Sequence, residues 1–281
     1  MLRPTLLAAV VIHAGFAGAL LAQDNASPPG EDPVLKGPAV PDNVARTLIV
    51  RDARGNFRRV EGRPEEAAIV VLGLEGKTRE KAVKICNDRA NAIGMLLAEH
   101  VDLVKEATDA QIAGKTADVA KTYARLREFY EPAPVRDPLA KGMSELLKPT
   151  QRAELDRLLN EYWAAAVDWE LRNAKEKGPE ARAKAEERLV FQIFQDEVRL
   201  AYERVLKPYR DRLEGVYAAL EPTPEQRAQI RDVVLDLIRE GKLKPTPEQR
   251  RAAMTRIYAT LDEERKAKLF DLIVRQVVPN D

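Results

Sequence analysis

The 281-residue chain is poor in the side chains that most catalytic and metal sites use. It has one cysteine, Cys86, and two histidines: His13, inside an apolar leader, and His100 in the body. One thiol excludes an internal disulfide, so stability must come from packing. One histidine beyond the leader excludes a multi-histidine metal site, and no Glu-x-x-His pair is present for a di-iron bundle. Neither sign of charge prevails, with 46 Lys and Arg against 45 Asp and Glu. Removing the leader takes away only Arg3, which leaves the two signs balanced and finely mixed. A chain so balanced has no bulk basic face for nucleic acid. Beyond the leader, no apolar run is long enough to span a membrane.

The leader itself is a basic start, Met1-Leu-Arg-Pro4, followed by an apolar, small-residue run from Thr5 to Ala22. This is a signal-peptide pattern, with cleavage expected after Ala19 or Ala22. Retention as an anchor is the alternative; the Ala and Gly content and His13 favour cleavage. The protein is therefore expected to be exported, to a periplasm or to the outside. Residues 23–43, dense in Pro, Gly, Asp and Asn, cannot bury enough surface to offset their ordering entropy and read as a linker. About 240 residues remain, enough for one large domain or two modest ones.

One stretch imitates a nucleotide site. Ile69-Val-Val-Leu-Gly-Leu-Glu-Gly-Lys-Thr78 places an apolar run before Gly76-Lys77-Thr78. A phosphate loop needs another glycine five residues before Gly76, and that position holds β-branched Val71. Gly114-Lys115-Thr116 fails in the same way, with Asp109 there. The fold would also need several buried parallel strands, and nothing downstream of Thr78 reads better as strand than as helix. Pro64 to Leu72 instead reads as a short helix, with Pro64 in its first position and Glu65 and Glu66 in its first turn. Gly73 ends it and Thr78 opens the next, so the stretch is a helix–helix joint.

The expected fold class is mainly α: long antiparallel helices, as hairpins or an elongated bundle, with a small N-terminal β-hairpin. The hairpin comes from Thr47–Arg51 and Phe57–Val60 around a Gly-containing turn. Val83, Cys86, Ala90, Ile93, Leu97, Val101 and Val104 form one apolar stripe, predicting a helix from Thr78 to about Ala113. Cys86 on that stripe reads as a buried small hydrophobe, the alternatives being an intermolecular disulfide or a reactive thiol. Further helices are expected from Thr116 to Pro132 and from Thr150 to Lys177. A long run from Glu180 to Leu220 should be kinked at Pro208. Three short helices follow, over 224–240, 247–260 and 262–277. The consecutive division is 44–73 for hairpin and short helix, 74–220 for long helices and 221–281 for the short-helix region.

Two of those helix starts are identical. Thr223-Pro224-Glu225-Gln226-Arg227 recurs as Thr246-Pro247-Glu248-Gln249-Arg250. Thr caps the free N–H groups, Pro sits where no N–H is needed, Glu opposes the helix dipole, and Gln reaches back to the cap. Lys148-Pro-Thr150-Gln151-Arg152 is a variant, and Leu74 to Arg79 a worn copy.

These starts resemble the Leu-Thr-x-x-Gln motifs of the Spy and CpxP family of periplasmic helical proteins. The resemblance covers only the helix starts, and it departs where Pro222 and Pro245 replace the motif's leucine and Lys148 its threonine. It implies an all-helical fold, often a curved antiparallel dimer, acting as an ATP-independent chaperone or stress regulator. The implied partners are unfolded or envelope polypeptides, with a homodimer open.

No reactive constellation stands against that expectation. His100 flanks the stripe beside Glu99 and Asp102 and reads as a core-edge residue. Asp196-Glu197 and Glu263-Glu264 lie on helices laced with Arg and Lys and read as solvated surface. Trp163, Trp169, Phe191, Phe194 and Tyr202 concentrate on two neighbouring helices, by default as core and alternatively as a client-binding face. The expectation is a non-enzymatic protein without catalytic, cofactor or metal residues. It either holds other polypeptides in the Spy manner or scaffolds the envelope through a fixed partner or self-association.

Overall fold

The structure, a computed structural model, describes residues 46–277 apart from 134, with side chains through Leu272. The expected leader, its cleavage sites after Ala19 and Ala22, and the linker 23–43 lie outside the described residues. Within them the protein is mainly α, with eleven helices and one two-stranded sheet near the N-terminus.

Strands β1 (Val50–Arg51) and β2 (Phe57–Arg58) pair antiparallel, with Val50 opposite Arg58 and Arg51 opposite Phe57. Asp52 closes the turn: its Oδ1 accepts the N–H groups of Arg54 at 2.8 Å and Asn56 at 2.9 Å. These bonds, with the Asn56 amide, hold its carboxyl below the usual range. Gly55 supplies the left-handed backbone the turn requires, at φ +78.

Helix α1 (Pro64–Val71) starts with proline in its first turn and ends in a Schellman turn. There Gly73, at φ +61, donates to Val70 O and Leu74 to Ile69 O. Helix α2 (Gly76–Glu99) follows after that short joint, so the Gly-Lys-Thr stretch is a helix start and not a phosphate loop. Its first residue is Gly76 and not the expected Thr78, because Glu75 O already accepts from Arg79 N–H.

The single rod expected over 78–113 is two helices. His100, at φ −114 and ψ 39, leaves helical geometry between α2 and α3 (Val101–Ile112). Its backbone stays bonded on both sides, donating to Leu96 O and accepting from Leu103 and Val104. Helix α4 is Thr116–Tyr130 and α5 is the short Ala140–Ser144. Helix α6 spans Pro149–Ala174 and stops at left-handed Lys175. Helix α7 (Pro179–Val205) and α8 (Lys207–Leu220) are separated at Leu206. The helix is interrupted for that one residue, two before Pro208, where proline lacks an N–H and would clash with the carbonyl four residues back; Leu206 itself still donates to Tyr202 O. Helices α9 (Pro224–Gly241), α10 (Pro247–Thr260) and α11 (Glu263–Val277) complete the chain.

The described residues form two compact units, each assembled from separated stretches. One contains the chain to Ile93 together with Tyr123–Ala201; the other contains Gly94–Thr122 together with the chain from Tyr202 onward. In the first, α6 is the central helix. Its buried Leu155, Leu158, Tyr162 and Trp163 meet α1, α5 and β2. Phe57 places its ring edge-on to Tyr162, with centroids 5.5 Å apart. Cys86 is buried in this core, as the apolar stripe predicts. In the second unit α9 packs along α10 and α3, and α8 packs on α11. Ile230, Leu237, Leu220 and Ile257 are among its buried residues. Each such side chain contributes about 1.5–3 kcal/mol relative to exposure.

Candidate functional site

The most unusual chemistry of the first unit is charge placed inside it. Arg63 caps the start of α1 in extended geometry, yet its side chain is only 1% exposed. Its Nε donates to Glu197 Oε1 at 2.8 Å, and its Nη1 donates to the Arg136 carbonyl at 3.3 Å. Arg89, from α2, takes the same carboxylate in a two-pronged grip: Nε to Oε1 at 2.6 Å and Nη2 to Oε2 at 3.0 Å. Arg89 Nη2 also donates to Glu131 Oε2 at 3.2 Å, and its guanidinium stacks 5.2 Å from the Tyr130 ring centroid. Glu197 of α7 therefore binds the loop before α1 to α2.

Burial alone would push the Glu197 carboxyl up, but Arg63 and Arg89 together outweigh it and hold it below the usual range. The same contest runs in reverse for Arg63, whose hold on its proton burial weakens and Glu197 and Glu65 strengthen. Glu65 is worse served. Its side chain is fully buried, its Oε1 lies 3.6 Å from Arg63 Nη1, and that oxygen accepts the Leu139 N–H at 3.3 Å. Its Oε2 has no hydrogen-bond partner, and neither does Arg63 Nη2. Burial pushes the Glu65 carboxyl up to about 7, against the pull of Arg63 and with the help of nearby Asp137. Glu66 is raised too, chiefly by burial and then by Glu197. Burial, with these two acids, also raises the Cys86 thiol.

The segment 135–139 borders this cluster. Asp137 accepts the Trp163 indole N–H at 2.7 Å on one oxygen and Arg136 Nε at 2.8 Å on the other. Arg136 also donates to Asn160 Oδ1 at 3.0 Å and lies 5.9 Å from the Trp163 ring centroid. The segment is thereby fixed to α1 and α6. An ion cluster whose members mainly pair with one another positions helices.

Helix starts are the second candidate. Thr223 and Thr246 both cap as expected. Thr223 Oγ1 accepts Gln226 N–H at 3.2 Å while Gln226 Oε1 accepts Thr223 N–H at 3.0 Å. In the second copy the bonds between Thr246 and Gln249 are 3.3 and 2.8 Å. Pro224 and Pro247 occupy the first turn, and Glu225 and Glu248, fully exposed, are held below the usual range by their own N–H groups and the cap hydroxyls. Pro222 and Pro245, which replace the resembled motif's leucine, are buried.

The first copy reaches further. Gln226 Nε2 donates to Thr260 O at 3.3 Å and to Asp262 Oδ2 at 3.2 Å, joining α9 to the α10–α11 junction. Tyr217 donates its hydroxyl to Arg227 O at 2.9 Å, and the Arg227 guanidinium lies 5.3 Å from the Tyr217 ring centroid. Arg250 closes its first turn by donating its N–H to Thr246 O. In the variant copy the cap position is Lys148, which has no acceptor to offer; Gln151 accepts its N–H at 3.2 Å, and Thr150 stands exposed in the first turn. Arg152 Nε donates to Ser144 O at 3.1 Å. These residues punctuate helices at separate places and do not converge on one site.

A surface groove of about 310 Å³ lies beside the hairpin, lined by Ile49, Phe57, Ala164 and Ala165 and rimmed by Arg51, Arg172, Glu161 and Asp168. Two of its charges are already used: Glu161 pairs with Arg157 and Asp168 with Arg182. Among the described residues no His, Cys, Asp and Glu side chains group to hold a metal, and no helix is long and apolar enough to cross a membrane. His100 is half-buried at the α2–α3 break.

Of the aromatic concentration, Trp163 at 2% and Phe194 at 1% exposed are core, while Trp169, Phe191 and Tyr202 are half-buried. The exposed large apolar residues are Val70, Ile112, Phe129, Val135, Leu200, Tyr258 and Phe270, each on a different helix or loop.

One expectation is overturned. Glu197 is no solvated surface acid but the centre of the buried cluster, while neighbouring Asp196 is 30% exposed and pairs with Arg59 at 3.0 Å. Glu263 and Glu264 are solvated, as expected. Arg63, Glu65, Arg89, Glu131 and Asp137 were missed. The signal was charge on apolar positions: Arg89 lies three residues after Cys86, and Glu197 three after Phe194. Neither protein-family models, nor curated proteins, nor solved structures match this chain.

Proposed function

We propose that this is an exported, non-enzymatic helical protein that works by binding polypeptide, as a scaffold with a fixed partner or with a second copy of itself. The observation that supports this reading is how the apolar side chains are spent. Most large ones are buried in the two cores, and among the described residues the exposed ones lie on separate helices or loops. A protein that holds many unfolded clients needs a broad apolar face that yields to different sequences. One that keeps a fixed partner can rely on a rigid, largely polar surface, with specificity set by charge and shape.

The Spy-like reading, an ATP-independent chaperone, makes the opposite demand on the same surface. An aggregation assay separates the two. An unfolding client is incubated with the protein, without ATP, and scattering is followed. The scaffold reading expects no delay at substoichiometric protein; a delay there would replace it with the chaperone reading.

A further inference from the structure

The groove beside the hairpin carries cations that the fold itself does not use. We propose that it is a docking site for an extended, acidic segment of a partner polypeptide, which sets apolar side chains on its floor and carboxylates against Arg51 and Arg172. This names the partner chemistry for the scaffold reading and rests on that reading.

The whole groove belongs to the first unit, and its two walls follow from two periodicities. Ile49 and Arg51 are two residues apart in extended chain, and Phe57 stands directly opposite Arg51, so all three share one face of the hairpin. On α6, Glu161, Ala165, Asp168 and Arg172 follow one another at steps of three or four and share the facing side of that helix. Where a larger apolar residue would fill the gap, α6 presents Ala164 and Ala165, and a hollow of about 310 Å³ remains over Ile49 and Phe57.

The charges at its rim are unequally used. Glu161 is paired with Arg157 at 2.7 Å and Asp168 with Arg182 at 2.8 Å, and neither arginine lines the groove. Arg51 and Arg172 are exposed, and among the described residues neither has a carboxylate partner. Arg51 Nη1 donates to Gly55 O at 3.0 Å, which steadies the guanidinium without neutralising it. An apolar floor under two uncompensated cations selects a ligand that is apolar and anionic at once.

The backbone says that this ligand is extended. Among the described residues the sheet has two strands, so β1 has a ladder partner on one side. Asp52 N–H donates to Asn56 O, which makes Arg51 and Phe57 the next, non-hydrogen-bonded pair and turns the Arg51 main-chain N–H and C=O outward. A strand laid along that edge gains main-chain bonds, and its alternate side chains fall on the groove side. An acid opposite Arg51 then forms a cross-strand ion pair, and the next residue on that side meets Ile49.

The test uses the full protein and the capped nonapeptide Thr-Val-Thr-Asp-Thr-Val-Thr-Asp-Thr, with versions carrying Asn or Lys for Asp. Backbone amide shifts follow the titration and locate the bound peptide. The Asp peptide is expected to bind about fivefold tighter than the Asn peptide, with the Lys peptide weakest, and to shift residues 49–57 and 161–172. Arg51→Gln and Arg172→Gln should each weaken it about fivefold, and the double change R51E with R172E should reverse the order of the peptides. Ala165→Leu fills the hollow and should abolish binding; if that variant does not fold, exposed Ala164→Leu replaces it. Equal binding of the three peptides, shifts confined to other residues, or binding untouched by the leucine overturns the proposal.

A photo-crosslinking residue at Ala164, irradiated in cells, keeps this proposal apart from the scaffold reading. One heterologous adduct of constant size, lost in the R51E and R172E background, is expected. A dimer-sized adduct, or an internal crosslink to residues 23–43, gives the groove to a second copy or to the chain itself and overturns the partner assignment. Silence at Ala164 beside discrete adducts from Phe129, Ile112 or Leu200 overturns the groove and leaves the scaffold standing. Adducts of many sizes from all these positions overturn the scaffold reading itself.

Discussion

Removing Glu197 alone should be among the most damaging single changes the first unit can suffer. Its carboxylate accepts three hydrogen bonds from two guanidinium groups, at 2.6, 2.8 and 3.0 Å, with Arg63 and Arg89 no more than 9% exposed. Glu197→Leu leaves both cations buried, with Glu131 facing Arg89, the distant Glu65 oxygen facing Arg63, and Glu66 within electrostatic reach of both. Stranding a buried charge in this way costs about 3–5 kcal/mol. The two tryptophans make the assay specific, since fluorescence-detected unfolding follows this unit and not the other.

The reasoning also predicts a recovery. Replacing Arg63, Arg89 and Glu197 together by Met, Met and Leu removes the charges along with their partner and should restore most of the loss. A loss under about 1 kcal/mol for Glu197→Leu would mean that water reaches the cluster. A triple variant no better than the single one would mean that the ions are needed for packing and not merely for mutual compensation.

Two further outcomes follow from the second unit. Gln226→Leu should cost about 2 kcal/mol and Gln249→Leu about 1 kcal/mol, because Gln226 adds bonds to Thr260 and Asp262 to its cap bond; thermal melts followed by circular dichroism compare them, and equal losses would dismiss the extra tie. A Cβ on Gly241 would come within 2.7 Å of Pro245 Cβ, so Gly241→Ala should cost about 1–3 kcal/mol, whereas Gly215→Ala, which meets nothing within 4 Å, should be neutral or stabilising.

The sequence was legible where local chemistry decides. Thr223 and Thr246 with their glutamines start helices because cap, proline and glutamine all act within one turn, and Phe57 paired across a five-residue turn because Asp52 and Gly55 shape that turn. Helix breaks were less legible. His100 carries no breaking signal of its own and bends the rod while keeping backbone bonds on both sides. The buried cluster was least legible, because it joins residues far apart along the chain. Arg89 and Glu197 are ordinary charged residues on charged helices until α2 and α7 place them 2.6 Å apart. What could have raised suspicion was their register, since each interrupts a stripe of buried neighbours that would otherwise be apolar throughout.

The most direct test of the account replaces exposed Phe129, Ile112 and Leu200, one at a time, with a photo-crosslinking residue and irradiates cells that make the protein. A scaffold with a fixed partner, or with itself, gives one or two discrete adducts of constant size from whichever position lies in the interface. A ladder of many adducts that grows under unfolding stress would contradict the scaffold reading and return the protein to the class that holds unfolded clients.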